Sequence, residues 1–176
     1  AEIKALCDKF DAELMAEAEK FGEDYQNILS LAYRQAISAH KLAEDKDGKL
    51  VFLSKENDSN GCIGTLDVTY PSIPLFLKYN PELIKGMLRP VYQFAASDAW
   101  KYDFAPHDVG QYPLLNGQKY GYRDGDVLLY DFQMPVEECG NMLVMEAAVA
   151  KVTGDTSFAD SHIDVLVGWA EYLKKY

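Results

Sequence analysis

The sequence predicts an all-α protein built from antiparallel helical hairpins, with a minor β-hairpin. Three observations carry that prediction. Apolar residues recur at helical spacing in about five long stretches. Proline and glycine punctuate the ends of those stretches. Runs of β character are short and confined to Leu50–Leu53 and the segment from Tyr120 to Tyr130. The length of 176 residues fits one domain, and the composition, 48% hydrophobic and 26% charged, is that of a folded globular chain. The chain therefore reads as a single helical domain over 1–176.

The first helix carries Ile3, Leu6, Cys7, Phe10, Leu14, Ala18 and Phe21 on one side and stops at Gly22. A second helix is expected from about Asp24 to Ala43, with Tyr25, Ile28, Leu29, Ala32, Tyr33, Ala36, Ile37 and His40 as its apolar side. Two long helices joined by a short glycine link form an antiparallel hairpin. Asp45-Lys46-Asp47-Gly48 resembles the start of a calcium loop. An EF-hand register would put Ala43 first and Ser54 twelfth, and neither suits those positions. The segment reads as a turn. Leu50–Leu53 follows as a small strand, and the stretch from Lys55 to Gly64 as a polar loop. Residues 65–74 contain Pro71 and Pro74, which delay the next helix to a short piece at Leu75-Phe76-Leu77. Asn80-Pro81-Glu82 is a helix start with a capping side chain, proline at the first position and an acid at the positive dipole end. Pro90 is expected to kink that helix or end its first half. Residues 99–134 are the longest irregular stretch and are rich in aromatics. Arg123-Asp124-Gly125-Asp126 reads as a hairpin turn between Tyr120–Tyr122 and Val127–Tyr130. Pro135 opens another helix that runs to Gly154. The last helix is expected from Ser157, its N-cap, and continues to Tyr176 without a stop signal.

The formal charge is −11 and the isoelectric point about 4.6. No Lys/Arg cluster offsets it, which excludes nucleic acid and anionic membrane as expected partners. No apolar run approaches the roughly 18 residues of a membrane span. No signal-peptide pattern opens the chain, so it reads as a mature or excised form. Cys7, Cys62 and Cys139 are odd in number and lack metal-ligand spacing, so they read as buried or idle thiols. His40 and His162 sit on expected helix faces among apolar neighbours and read as packing residues.

Three constellations can carry chemistry. One is Lys55-Glu56-Asn57-Asp58, with Asp67 and Tyr70 following. The second runs from Pro106-His107-Asp108 to Gln111-Tyr112-Pro113. The third is Met134-Pro135-Val136-Glu137-Glu138-Cys139-Gly140-Asn141-Met142. Hydrolysis needs a group that deprotonates water and one that protonates a leaving group. A carboxylate in a partly dry cleft can be tuned to either task. Glu137 and Glu138 are adjacent in a first helical turn and point about 100° apart. One is expected to face a cavity and the other, Glu138, to cap outward. With one loop histidine, no metal site is expected. Nucleophile-elbow and phosphate-loop signatures are absent.

Read together and in order, Leu31-Ala32-Tyr33-Arg34-Gln35, Lys55-Glu56, Thr65-Leu66-Asp67-Val68, Tyr70-Pro71-Ser72-Ile73-Pro74, the His107–Pro113 and Met134–Met142 segments, Gly154-Asp155 and Trp169-Ala170-Glu171-Tyr172-Leu173 resemble the glutaminase A family over about residues 24–176. The resemblance implies an α/α toroid like that of the six-hairpin glycosidases, of which this chain holds the first part. It also implies a secreted or periplasmic hydrolase that converts the side-chain amide of glutamine to glutamate and ammonia. It makes Asp67, His107, Asp108, Glu137 and Glu138 the catalytic candidates, and Lys55, Glu56, Tyr70, Tyr112 and Asn141 the substrate-binding candidates. Neither cofactor nor metal is implied. The alternatives are a glycoside hydrolase, since the architecture does not fix the substrate, and a non-catalytic helical module. Expected partners are a small molecule or carbohydrate, the rest of a parent chain, and further copies joined through exposed toroid faces.

Overall fold

A computed structural model of the chain describes residues 2–56, 58–118, 121–123 and 127–176. Asn57 of the first constellation, Tyr120, and Asp124, Gly125 and Asp126 of the expected turn lie outside these. The chain divides into two compact units, Ala1–Ser38 and Ala39–Tyr176.

The first unit is a helical hairpin, α1 (Glu2–Glu19) and α2 (Glu23–Ser38). Phe10 meets Tyr33 with ring centroids 5.3 Å apart, and Gln26 Nε2 donates to the Met15 carbonyl at 3.0 Å. These cross-pairs run in opposite directions along the two helices, so the hairpin is antiparallel. Of the α1 stripe only Leu14 and Ala18 are buried.

The second unit opens with β1 (His40–Glu44) and β2 (Leu50–Ser54), paired antiparallel from His40↔Ser54 to Glu44↔Leu50. The expectation of a helix reaching Ala43 is thus corrected. The buried run Val51-Phe52-Leu53 needs a hydrogen-bonded neighbour for its backbone, and the Asp45 turn supplies one by folding the preceding residues back. Asp45 Oδ1 accepts from the backbone of Asp47 at 2.9 Å and Lys49 at 2.8 Å, and Gly48 takes the left-handed conformation (φ 71°).

Helix α3 (Leu66–Tyr79) begins far earlier than Pro71 and Pro74 suggest. The short helix expected at Leu75-Phe76-Leu77 is only its final part. Thr69 Oγ1 donates to the Thr65 carbonyl at 2.8 Å and Ser72 Oγ to the Thr69 carbonyl at 2.7 Å. Buried Leu66, Thr69, Ile73 and Phe76 anchor one face, so tertiary burial outweighs the two missing N–H donors. Helix α4 (Pro81–Ala95) is capped as expected, Asn80 accepting from the Glu82 backbone at 3.2 Å. It runs through Pro90 rather than ending there. Gly86 lets it press on β2: a Cβ there would sit 2.3 Å from Leu50 Cδ2.

Further on come β3 (Tyr122–Arg123) paired with β4 (Val127–Leu128), and the single turn α5 (Tyr130–Gln133). Helix α6 (Pro135–Thr153) follows. The expected last helix is broken into α7 (Ser157–Asp160) and α8 (Ile163–Lys175). Ser157 is not the cap; Asp155 Oδ1 accepts from its backbone N–H at 2.9 Å and Oδ2 from its hydroxyl at 3.0 Å. Helix α3 packs on α4 and α6, and α6 on α8. Their shared core includes Ile73, Phe76, Ile84, Leu88, Val91, Met142, Met145 and Val149. The structure is therefore mostly helical, with two small antiparallel ladders. His40 stacks on Phe52 and His162 on Tyr92, both as packing residues, although His40 lies on a strand and His162 just before α8.

Candidate active site

The site is gathered by backbone. Helix α3 leaves its first N–H groups without helical partners, and the Leu66 N–H donates to the His107 carbonyl at 3.0 Å. Residues 61–64 pair with 109–112: Ile63 N–H donates to Gly110 O, Val109 N–H to Ile63 O and Tyr112 N–H to Gly61 O. From the other side Gln133 Oε1 accepts from the His107 N–H at 3.3 Å, and Cys139 Sγ from the Ala105 N–H at 3.3 Å. The His107-Asp108 segment is therefore strapped between the start of α3 and the α5–α6 junction. Asp67 stands in the first turn of α3 and Glu138 in the first turn of α6. Two helix N-termini thus deliver carboxyl groups to one place.

His107 is buried, with Nδ1 2.9 Å from Asp108 Oδ2 and Nε2 3.8 Å from Asp67 Oδ1. Asp108 is equally buried, and its other oxygen accepts from the Gly110 N–H at 3.0 Å. Gly110 has φ 150°, and a Cβ there would lie 2.4 Å from the Leu114 carbonyl oxygen, so only glycine fits this turn. With Nδ1 engaged by Asp108, Nε2 is the ring nitrogen that faces Asp67. Asp67 Oδ1 is buried and has no hydrogen-bond partner among the described residues.

Glu138 is fully buried. Its Oε2 accepts from Asn141 Nδ2 at 3.0 Å, while Oε1 has no hydrogen-bond partner among the described residues. Burial pushes its carboxyl up to about 9; the Asn141 side chain and the Asp67 backbone amide pull the other way, and the charges of Asp67 and Glu137 add to the rise. Glu138 is therefore neutral at pH 7 and can donate a proton. Glu137 is exposed. The expectation that Glu138 caps outward is reversed: Glu138 points in and Glu137 out.

Of the substrate-binding candidates, Glu56 closes on the site, its carboxylate, one from Asp67 and a His107 ring nitrogen lying within 4.8 Å of one another. Lys55 Nζ stands 4.9 Å from the Tyr112 ring centroid, and both Tyr112 and Tyr70 are exposed. Asn141 acts on Glu138 rather than on open solvent. The aromatic loop mostly builds core: Trp100, Tyr102 and Phe104 pack on one another, and Trp100 Nε1 donates to the Phe104 carbonyl at 2.8 Å.

Three residues escaped the sequence reading. Gln133 and Gln118 join through mutual amide hydrogen bonds beneath His107. Cys62 lies with His107 and Asp108, and burial, with the Asp108 charge second, holds its thiol far above the usual range. No local pattern marks them; the pairing of residues 61–64 with 109–112 brings in Cys62, while Gln133 and Gln118 reach the segment by bonding the His107 N–H and the Asp108 carbonyl.

A family model described as the glutaminase A six helical-hairpin domain matches residues 22–176. The chain belongs to this family. Glutaminase A of Aspergillus oryzae is 38% identical over 153 residues, covering 86% of this chain and 21% of that protein. A protein of Arthroderma benhamiae named as a probable glutaminase is 34% identical over 148 residues, covering 83% of this chain and 16% of that one. The chain thus spans 21% and 16% of the length of these two relatives, and no solved structure matches it.

Proposed function

We propose that this glutaminase A family chain supplies part of a hydrolytic site, within a longer protein, that cleaves the side-chain amide of glutamine to glutamate and ammonia. The observation that carries the reading is the meeting of Asp67 and Glu138, from two helix N-termini, beside the His107–Asp108 pair. Amide hydrolysis needs a base for the attacking water and an acid for the departing nitrogen. In this reading Asp67, with His107 at 3.8 Å, takes the water proton. In this reading Glu138, kept neutral by burial, gives one to the leaving ammonia. Asp108 holds the ring of His107 in orientation. Half-buried Lys55 and exposed Tyr70 and Tyr112 are the groups we assign to holding the substrate. A secreted or periplasmic location belongs to the same reading.

The test is ammonia release from L-glutamine by the longer protein, set beside its Asp67→Asn and Glu138→Gln variants. Each variant is expected to lose activity by about 10²–10⁴-fold, the scale of general acid–base catalysis. Retained activity in both, or release of sugars from glycans with none of ammonia from glutamine, overturns the reading.

A further inference from the structure

The geometry points to a divalent transition-metal cation, of the zinc or manganese kind, held by Glu56, Asp67 and His107 Nε2. Three features of the structure converge on it. First, His107 Nε2 and Asp67 Oδ1 face each other at 3.8 Å. That is too long for a shared proton, since hydrogen bonds to nitrogen close to about 2.7–3.2 Å. A cation about 2.1 Å from each donor spans the same gap at an angle of roughly 130°. Second, Asp67 Oδ1 is a buried oxygen without a hydrogen-bond partner among the described residues. Buried oxygens of this kind are costly unless something positive meets them. Among the described residues no Lys or Arg forms an ion pair with Glu56, Asp67, Asp108 or Glu138. Third, Asp108 grips His107 Nδ1 at 2.9 Å, which fixes the tautomer and aims Nε2. A carboxylate behind a histidine ring is the common outer support of a metal-ligating imidazole.

One nitrogen and two oxygens suit zinc or manganese better than calcium or magnesium, which take oxygen alone. Three protein donors leave a position for water. A second donor set, Cys62, His107 and Asp108, lies next to the first. It is the poorer choice because both Asp108 oxygens are already engaged, by His107 and by Gly110.

The test is calorimetric titration of the chelator-stripped 176-residue chain with ZnCl2 and, separately, MnCl2, followed by the near-ultraviolet and visible spectrum of the Co2+ form. One equivalent is expected to bind, without the thiolate charge-transfer band that Cys62 ligation produces. Glu56→Gln, Asp67→Asn and His107→Gln are each expected to weaken binding at least about tenfold, and Asp108→Asn by about 10–100-fold. Glu56 is only half-buried and lies outside the helices, so Glu56→Gln serves as the variant that keeps its fold, checked by circular dichroism. Absence of saturable binding of either ion up to roughly 1 mM, unchanged affinity in Glu56→Gln, or a Co2+–thiolate band overturns the site. Hydrolysis enters none of these readouts, so their failure leaves the hydrolase reading standing and its failure leaves theirs.

Discussion

Replacing Glu138 by glutamine tests the buried-acid assignment through stability alone. The carboxyl has an ordinary value of 4.5 and is pushed up to about 9 in the folded chain. A raised acid binds its proton more tightly folded than unfolded. Its contribution is fully present below the unfolded value and is lost as pH rises toward the folded one. Each pH unit inside that window costs about 1.4 kcal/mol. Between pH 5 and pH 8 the native chain should therefore lose about 4 kcal/mol through Glu138, three pH units at that slope. Glutamine has nearly the same shape and cannot ionise. Its carbonyl can still accept from Asn141, while its amide replaces the unpartnered oxygen. That amide carries its own hydrogen-bond cost, but the cost is independent of pH and cancels in the comparison. Urea unfolding of both proteins at pH 5 and pH 8, with chelator present, measures the difference directly. The gap between them should move by about 4 kcal/mol in favour of Glu138→Gln at the higher pH. Parallel stabilities at the two pH values would falsify the burial of a neutral Glu138.

Other parts of the fold give further expectations. Tyr92 donates its hydroxyl to Glu146 Oε2 at 2.7 Å inside the core, so Tyr92→Phe should cost about 1–3 kcal/mol in urea unfolding. Burial already raises the Glu146 carboxyl and Tyr92 opposes the rise, so the loss should be larger at pH 8 than at pH 5. Gly86→Ala should cost about 1–3 kcal/mol by overpacking, because the new methyl meets Leu50 Cδ2 and lies 3.2 Å from the Phe52 nitrogen. Gly110→Ala collides with the Leu114 carbonyl and should both destabilise the chain and detach Asp108 from its N–H donor. In the longer protein it should then lower ammonia release even where the fold survives.

What the sequence made legible follows from where each signal is stored. The start of α4 is written in three adjacent residues, and Asn80 caps it as those residues require. The Asp45 turn is equally local. Strand β1 is not: beyond His40 its residues are exposed, so no alternation marks it, and it exists because β2 needs a neighbour. Helix α3 is hidden behind Pro71 and Pro74, a local veto that burial of Leu66, Ile73 and Phe76 overrides. The site divides along the same line. Asp67, His107 and Asp108 stand in short polar constellations that the sequence shows directly, and the glutaminase A family resemblance picks out the same residues. The closeness of Glu56 to them, and the presence of Cys62, depend on backbone pairing across some fifty residues, which no short pattern contains.

The reversal at Glu137 and Glu138 has a different cause, because there the signal was present. Both residues satisfy the preference for acids in a first helical turn, and that preference cannot rank them. Periodicity can. In α6 the buried residues include Glu138, Asn141, Met142, Met145 and Val149, spaced by three and four along one face. Counting back from Met145 and Met142 by the same steps lands on Glu138. Counting forward from Glu137 by seven lands on Val144, which is half-exposed at 50%. A carboxyl placed on an apolar stripe leaves water when the helix packs, and an unpaired carboxyl that leaves water keeps its proton. The stripe that builds the core of α6 thus also makes Glu138 neutral, and places an acid where α6 meets the start of α3.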